Sequence, residues 1–135
     1  MTIYTSDLNK SVDVGTGSFW FCMYSTAMVK LTAEVRGNLP LALAFLDSGE
    51  CSAKNAKMTA VQMGMLRNYF AAIPPEDAVY DMHNPRRKVP WKQNISPNIT
   101  SCANLFKTAN GLDLFTEVIG LLNWAAANNQ NLFAT

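Results

Sequence analysis

The chain is poor in the residues that do chemistry. Histidine occurs once, as His83, in 135 residues, which excludes a metal site built on several imidazoles. Cysteine occurs three times, as Cys22, Cys51 and Cys102, far apart and with no Cys-x-x-Cys. That spacing argues against a zinc knuckle and against a disulfide framework. Three separate thiols fit a reducing compartment, where they act as small buried apolar groups. Charge is also scarce, at 16% of residues with a net value of +1. A general nucleic-acid binder carries a strong basic excess and a DNA mimic a strong acidic one, and neither is present. The longest apolar run, Phe19 to Val29, is too short to span a bilayer and contains Ser25 and Thr26. Asp7 and Asp13 precede it against a single Lys10, unlike the basic start of a secretory signal. The expectation is a cytoplasmic protein with no membrane partner.

What is present is apolar surface. Hydrophobic residues make up 49% of the chain, enough for a globular fold rather than disorder. At this length one domain, residues 1–135, would bury roughly 68% of its unfolded surface. Thr2–Thr5 and Ser11–Val14 read as short strands about a turn, and Ser18 opens a helix to about Val35. Pro40 sits in the first turn of a helix over 39–47 that Gly49 closes, and a longer helix covers 52–72. The longer helix has an apolar stripe at Met58, Val61, Met65, Leu66, Tyr69 and Phe70, with Lys54, Lys57 and Arg67 on the wet side. Pro74-Pro75 ends it. Residues 78–82 and 101–107 read as further strands, separated by a proline-held loop. Asn110 caps a last helix over 112–127 whose buried face is Leu112, Phe115, Val118, Ile119, Leu122 and Ala126. The Asn-rich tail from Asn128 is expected to fray, with Leu132 and Phe133 available to dock. The sum is an α+β fold, about four helices packed with a small, mainly antiparallel sheet.

No catalytic template fits. His83 with Cys51 or Cys102 has the residue types of a nucleophilic pair but no recognisable signature around either thiol. Gly15-Thr16-Gly17-Ser18 stands where phosphate loops stand, but Trp20 occupies the position of a further glycine and no Gly-Lys follows. It reads as a tight turn. The sharpest charge feature is Asn84-Pro85-Arg86-Arg87-Lys88-Val89-Pro90-Trp91-Lys92. Such a loop suits phosphates and a stacked base, or an acidic patch on a protein partner through paired arginine hydrogen bonds. The protein partner is the preferred reading. Trp91, as a large aromatic, is expected to plug the core.

One ordered set of motifs goes further. Val14-Gly15-Thr16-Gly17-Ser18-Phe19 and Leu46-Asp47-Ser48-Gly49-Glu50 precede helices. Val79-Tyr80-Asp81, Pro90-Trp91, Asn94-Ile95-Ser96 and Ile99-Thr100 follow. The set closes with Phe106-Lys107-Thr108, Asn110-Gly111 and Asp113-Leu114-Phe115. In this order and spacing the chain resembles the immunity protein 70 family of bacterial polymorphic-toxin systems, from about Val14 to Asn128. It departs from the family's Pro-Pro-Trp-Gly at Val89-Pro90-Trp91-Lys92, and has Arg86-Arg87-Lys88 where the family approaches that loop with acidic residues. The resemblance implies a protein without catalytic activity and without cofactor or metal. Such a protein binds the C-terminal domain of one contact-delivered or secreted toxin, a nuclease by analogy, as a 1:1 complex. The expected toxin-binding residues are Arg86, Arg87, Lys88 and Lys92, backed by Glu76 and Asp77. Trp91 and Phe115 are assigned to the scaffold. The competing expectation is a nucleic-acid-binding or regulatory module that uses residues 84–92.

Overall fold

The computed structural model describes residues 1–91 and 94–135. Its two amino-terminal strands, β1 (Thr2–Thr5) and β2 (Ser11–Asp13), pair antiparallel with Ile3 opposite Val12. In β1, Ile3 and Thr5 are buried while Thr2 and Tyr4 are half-buried, the period-2 alternation of a strand with one core face. The turn between them is closed by Asp7, whose carboxylate accepts from the Thr5 hydroxyl (2.7 Å) and the Asn9 N–H (3.0 Å). Those hydrogen bonds, the Asn9 N–H first, hold the Asp7 carboxyl below its ordinary pKa. A third strand, β3 (Leu132–Ala134), lies antiparallel on the other side of β1, giving the order β2-β1-β3.

The tail that was expected to fray is therefore an edge of the sheet. Gln130 ties it down by accepting from the Ser6 hydroxyl (2.7 Å) and the Asp7 N–H (2.8 Å). Leu132 also exchanges backbone hydrogen bonds with Cys51 (3.1 and 2.8 Å). Polar composition suggested solvation, but the amides find internal partners instead.

Among the described residues there are five helices. α1 (Gly17–Lys30) carries the apolar run and buries Trp20, Cys22, Met23, Ser25, Thr26 and Ala27. The helix expected to reach Val35 breaks at Leu31, whose backbone is extended, and Thr32 caps the short α2 (Ala33–Gly37) by accepting from the Val35 N–H (3.2 Å). Arg36 folds back onto the Met28 and Leu31 carbonyls (3.1 and 2.6 Å), satisfying the end of α1. α3 (Pro40–Ser48) ends on Gly49 at φ +71°, where a Cβ would stand 2.6 Å from that of Ala134. Gly49 thus serves both a left-handed cap and the close approach of β3.

α4 (Ala53–Phe70) and α5 (Leu114–Ala127) form the most extensive helix contact, and α3 also packs on α4. The buried side chain of Gln62 in α4 accepts from the Leu41 and Ala42 N–H groups (2.7 and 3.1 Å), so one helix caps another. The expected apolar stripe of α4 is corrected here. Leu66 and Phe70 are buried, but Met58 and Val61 are about half exposed, at 52% and 50%, and Tyr69 is 38% exposed. The inward face is instead Ala56, Thr59, Ala60, Gln62, Met63, Leu66 and Phe70. Small residues let α5 and α3 approach closely, and Thr59 is satisfied by its bond to the Asn55 carbonyl (2.8 Å).

Two expected strands are absent. Residues 78–82 and 101–107 are irregular, apart from a lone bridge between Lys107 and Asp113, and a 3-10 turn at Pro75–Asp77 precedes the first of them. α5 begins after Asp113, not after Asn110. Asp113 accepts from the Thr116 N–H (3.0 Å), while Asn110 accepts from the Thr108 hydroxyl. Leu112 lies outside the helix and is 47% exposed, and Leu114, Leu121 and Ala125 join Phe115, Val118 and Leu122 on the buried face. Ile119 and Ala126 are only partly buried.

Candidate functional groove

The long irregular segment after α4 is held by side chains where a sheet would use a ladder. Thr26 of α1 accepts from the Val79 N–H (3.0 Å) and donates to the Cys22 carbonyl (2.8 Å); Ser25 accepts from the Met82 N–H (3.1 Å). The two hydroxyls that interrupt the apolar run are therefore the docking points for residues 79–82. Behind them, the Cys102 N–H donates to the Ile73 carbonyl (2.9 Å), tying the segment's far end to the exit of α4.

From Tyr80 an aromatic path runs inward. Tyr80 meets Trp91 edge-on (5.9 Å between centroids), Trp91 meets Phe19 (5.5 Å), and Phe19 meets the fully buried Phe106 (5.1 Å). Phe106 in turn contacts Phe70, and Phe70 contacts Phe115 across α5. Trp91 and Phe115 belong to the packed interior, Trp91 half-buried and Phe115 completely so. At the outer end of the path the Arg87 guanidinium lies over the Tyr80 ring, 4.4 Å from its centre. A cation held on an aromatic face keeps its position while its hydrogen-bonding edge stays free.

This geometry brings most of the expected residues together. Glu76, Asp77, Arg87 and Lys88 line a single groove of about 350 Å³ with Val29, Lys30, Ala78, Val79, Tyr80, Pro85 and Val89. Arg86 is exposed on the same loop but does not line the groove. Lys92 lies outside the described residues. Glu76 and Asp77 project from the 3-10 turn that Pro75 starts, and the loop bearing the cations is shaped by Arg87 N–H to Asn84 carbonyl (3.0 Å) and Asn84 N–H to Asp81 carbonyl (3.1 Å). Val29 is 53% exposed on the groove wall, and Val89 is buried beneath the loop.

Among the described residues the groove charges form no ion pair with one another. Among the described residues the ion pair formed is Arg67 with Asp113 (3.1 Å), away from the groove. Carboxylates and cations thus border apolar side chains in one groove without pairing among the described residues. That is a polar rim around a dry centre, the layout of a protein-binding surface. It is a poor one for a polyphosphate, because Glu76 and Asp77 would repel phosphate. Lys30 and Val29 were missed in the sequence because their helix turn read only as surface. Tyr80 was missed as a platform because nothing local ties it to Arg87.

The thiols have the opposite of a nucleophile's environment. All three are buried. Burial pushes Cys22 up to about 12, and Cys102 also to about 12, with the nearby Asp77 and Glu76 charges adding to its burial. Burial likewise raises Cys51. An attacking cysteine needs a stabilised thiolate at an exposed position. His83 stacks on Phe21 (5.8 Å), and no group of His, Cys, Asp and Glu among the described residues is arranged to hold a metal. No helix among the described residues is long and apolar enough to cross a membrane.

The model of the family described as Immunity protein 70 matches residues 3–133, nearly the whole chain. No curated protein matches, and no solved structure matches.

Proposed function

The chain belongs to the immunity protein 70 family, and on that premise we propose that it neutralises one cognate toxin by seating part of the toxin's C-terminal domain in the groove between α1 and residues 76–89. The observation that carries the site is the set of charges of both signs around an apolar groove, unpaired among the described residues. Arg87, pre-positioned on Tyr80, is the anchor. A fixed cation loses little side-chain freedom on binding a carboxylate, which favours it as a point of concentrated affinity. Arg86 and Lys88 extend the basic side, and Glu76 and Asp77 set orientation by meeting cations on the toxin.

The action is inhibition by contact, without catalysis, in the cytoplasm of the cell that makes both proteins. A standard interface buries about 800 Å² per partner, so the groove is the centre of a larger footprint. A nuclease is the expected toxin chemistry on the family resemblance, delivered by contact or secretion. Charges of both signs disfavour imitation of DNA as the means of inhibition. They also disfavour the nucleic-acid reading of residues 84–92. The corresponding assay should show no oligonucleotide binding even at low salt, where phosphate contacts are strongest.

The test is co-expression with the C-terminal domain of the cognate toxin, sought among the genes beside this chain's own, scoring growth and recovery of a 1:1 complex. The wild-type chain should protect. The double variant Arg86→Glu/Arg87→Glu should melt like wild type but bind the toxin at least about tenfold more weakly. Equal protection by the folded double variant would remove the groove from the interface and leave the family role standing.

A further inference from the structure

We propose that the outward face of α4 is a second docking surface of the inhibitor, and that its occupant is an amphipathic, acidic helix of the toxin. This rests on the toxin-binding reading above and concerns a different face of the molecule. Met58, Val61, Met65 and Tyr69 follow one another at steps of three, four and four residues, so they lie along one line of the helix. Met58 and Val61 are half exposed and Tyr69 is more than a third exposed, while Met65 is partly buried between them. Single apolar residues on a surface need no explanation, but an aligned row of four is a narrow apolar seam of the width that takes one helix. Two of the four are methionines, whose flexible, polarisable side chains adapt to a partner's relief.

Charge specifies the occupant. α4 contains Lys54, Lys57 and Arg67 and no carboxylate. Arg67 is committed to Asp113. Lys54 and Lys57 are exposed at the amino end of the helix, beside Met58. There the helix dipole is itself positive, so two lysines are misplaced for the stability of the isolated chain. Ser52, at the cap, makes no side-chain hydrogen bond, and the Ala53 N–H is met by the Asn131 side chain (2.9 Å), while neither lysine forms an ion pair among the described residues. Carboxylates supplied from outside would neutralise both lysines beside the positive end of the helix.

A second copy of α4 supplies none. Pairing two copies antiparallel sets the lysines against the Tyr69–Ala72 end, which has no acid, and pairing them parallel sets lysine against lysine. The complement is a different helix, apolar along one stripe and acidic at the end that meets Lys54 and Lys57.

The probe is the same toxin C-terminal domain, titrated against the wild-type chain and two double variants, Val61→Glu/Met65→Glu and Lys54→Glu/Lys57→Glu. Every changed side chain is exposed or partly so, and melting temperatures establish that each variant folds. The expected result is binding by the wild type and at least about tenfold weaker binding by each double variant. Added salt should weaken the wild type more than the lysine variant. Wild-type affinity retained by both folded variants overturns the α4 surface while the family reading stands. Failure of the wild type itself to bind would bring down both. Sedimentation of the chain alone adds a third outcome. A wild-type dimer that Val61→Glu/Met65→Glu dissociates would show that a second copy occupies the seam, overturning the toxin helix.

Discussion

The pair formed by α4 and α5 and the segment between them, residues 71–113, bury their deepest side chains equally well but by different means. In the helix pair, backbone hydrogen bonds are satisfied within each helix, and packing needs only an apolar face at the right period. In the segment, whose described residues form neither strand nor α-helix, backbone groups are satisfied one at a time. Thr26 serves Val79, Ser25 serves Met82, and the Ile73 carbonyl serves the Cys102 N–H. Its apolar anchors, Val89, Cys102, Leu105 and Phe106, are as buried as the helical core. The lesson is that the segment is no loop laid over a finished core. It is part of the core, and the groove stands on it.

The strongest way to break that comparison is to empty the segment's deepest anchor. Phe106 is fully buried against Phe19 and Phe70, so Phe106→Ala should cost about 3–5 kcal/mol, as a core phenylalanine does. Leu122→Ala in α5, equally buried, should cost about 2–5 kcal/mol. Denaturant unfolding measures both. If Phe106→Ala costs under about 1 kcal/mol, far below the core range, the segment is draped over the core and the comparison fails.

A finer cut removes a single staple. Thr26→Val keeps the shape of the side chain but takes away the acceptor for the Val79 N–H. The expected cost is about 1–3 kcal/mol, that of leaving a largely buried donor unpaired. Thr26→Ser, which keeps the hydroxyl, should lose less. Amide hydrogen exchange at Val79 separates the two cases: protection should collapse in the valine variant and persist in the serine variant. Unchanged protection in Thr26→Val would show that residues 79–82 are held by packing alone.

Legibility in the sequence follows the same division. β1, β2 and the approximate spans of α3, α4 and α5 could be read because period, caps and breakers are local signals. The α4 face was misread because hydropathy favours methionine, valine and tyrosine, whereas the interior chose Ala56, Ala60 and a satisfied Gln62. The break at Leu31 had no glycine or proline to announce it. Residues 78–82 look like a strand since their residue types suit one, but their partners are hydroxyls on α1, dozens of residues away in sequence. Of the candidate site, the charged residues were legible as a cluster near Pro75 and on the loop at 84–92. Their meeting in one groove with Lys30 was not, because it depends on where Ser25 and Thr26 hold the intervening chain.

The smallest expected effect concerns Trp91, where the two regions meet. Its ring packs between Tyr80 and Phe19, yet its Nε1–H is buried with no acceptor among the described residues. An unpaired buried donor costs about 1–3 kcal/mol, whereas exchanging the indole for a phenyl ring loses part of the packing. The two terms oppose each other, so Trp91→Phe should change stability by less than about 1 kcal/mol. The contrast is Trp20, whose Nε1–H donates to the Leu46 carbonyl (2.8 Å). There the same exchange removes both packing and a made hydrogen bond, and it should cost more. Equal losses at the two positions would mean that the Trp91 indole finds an acceptor in solution. The segment's polar groups would then be as completely satisfied as those of the helices.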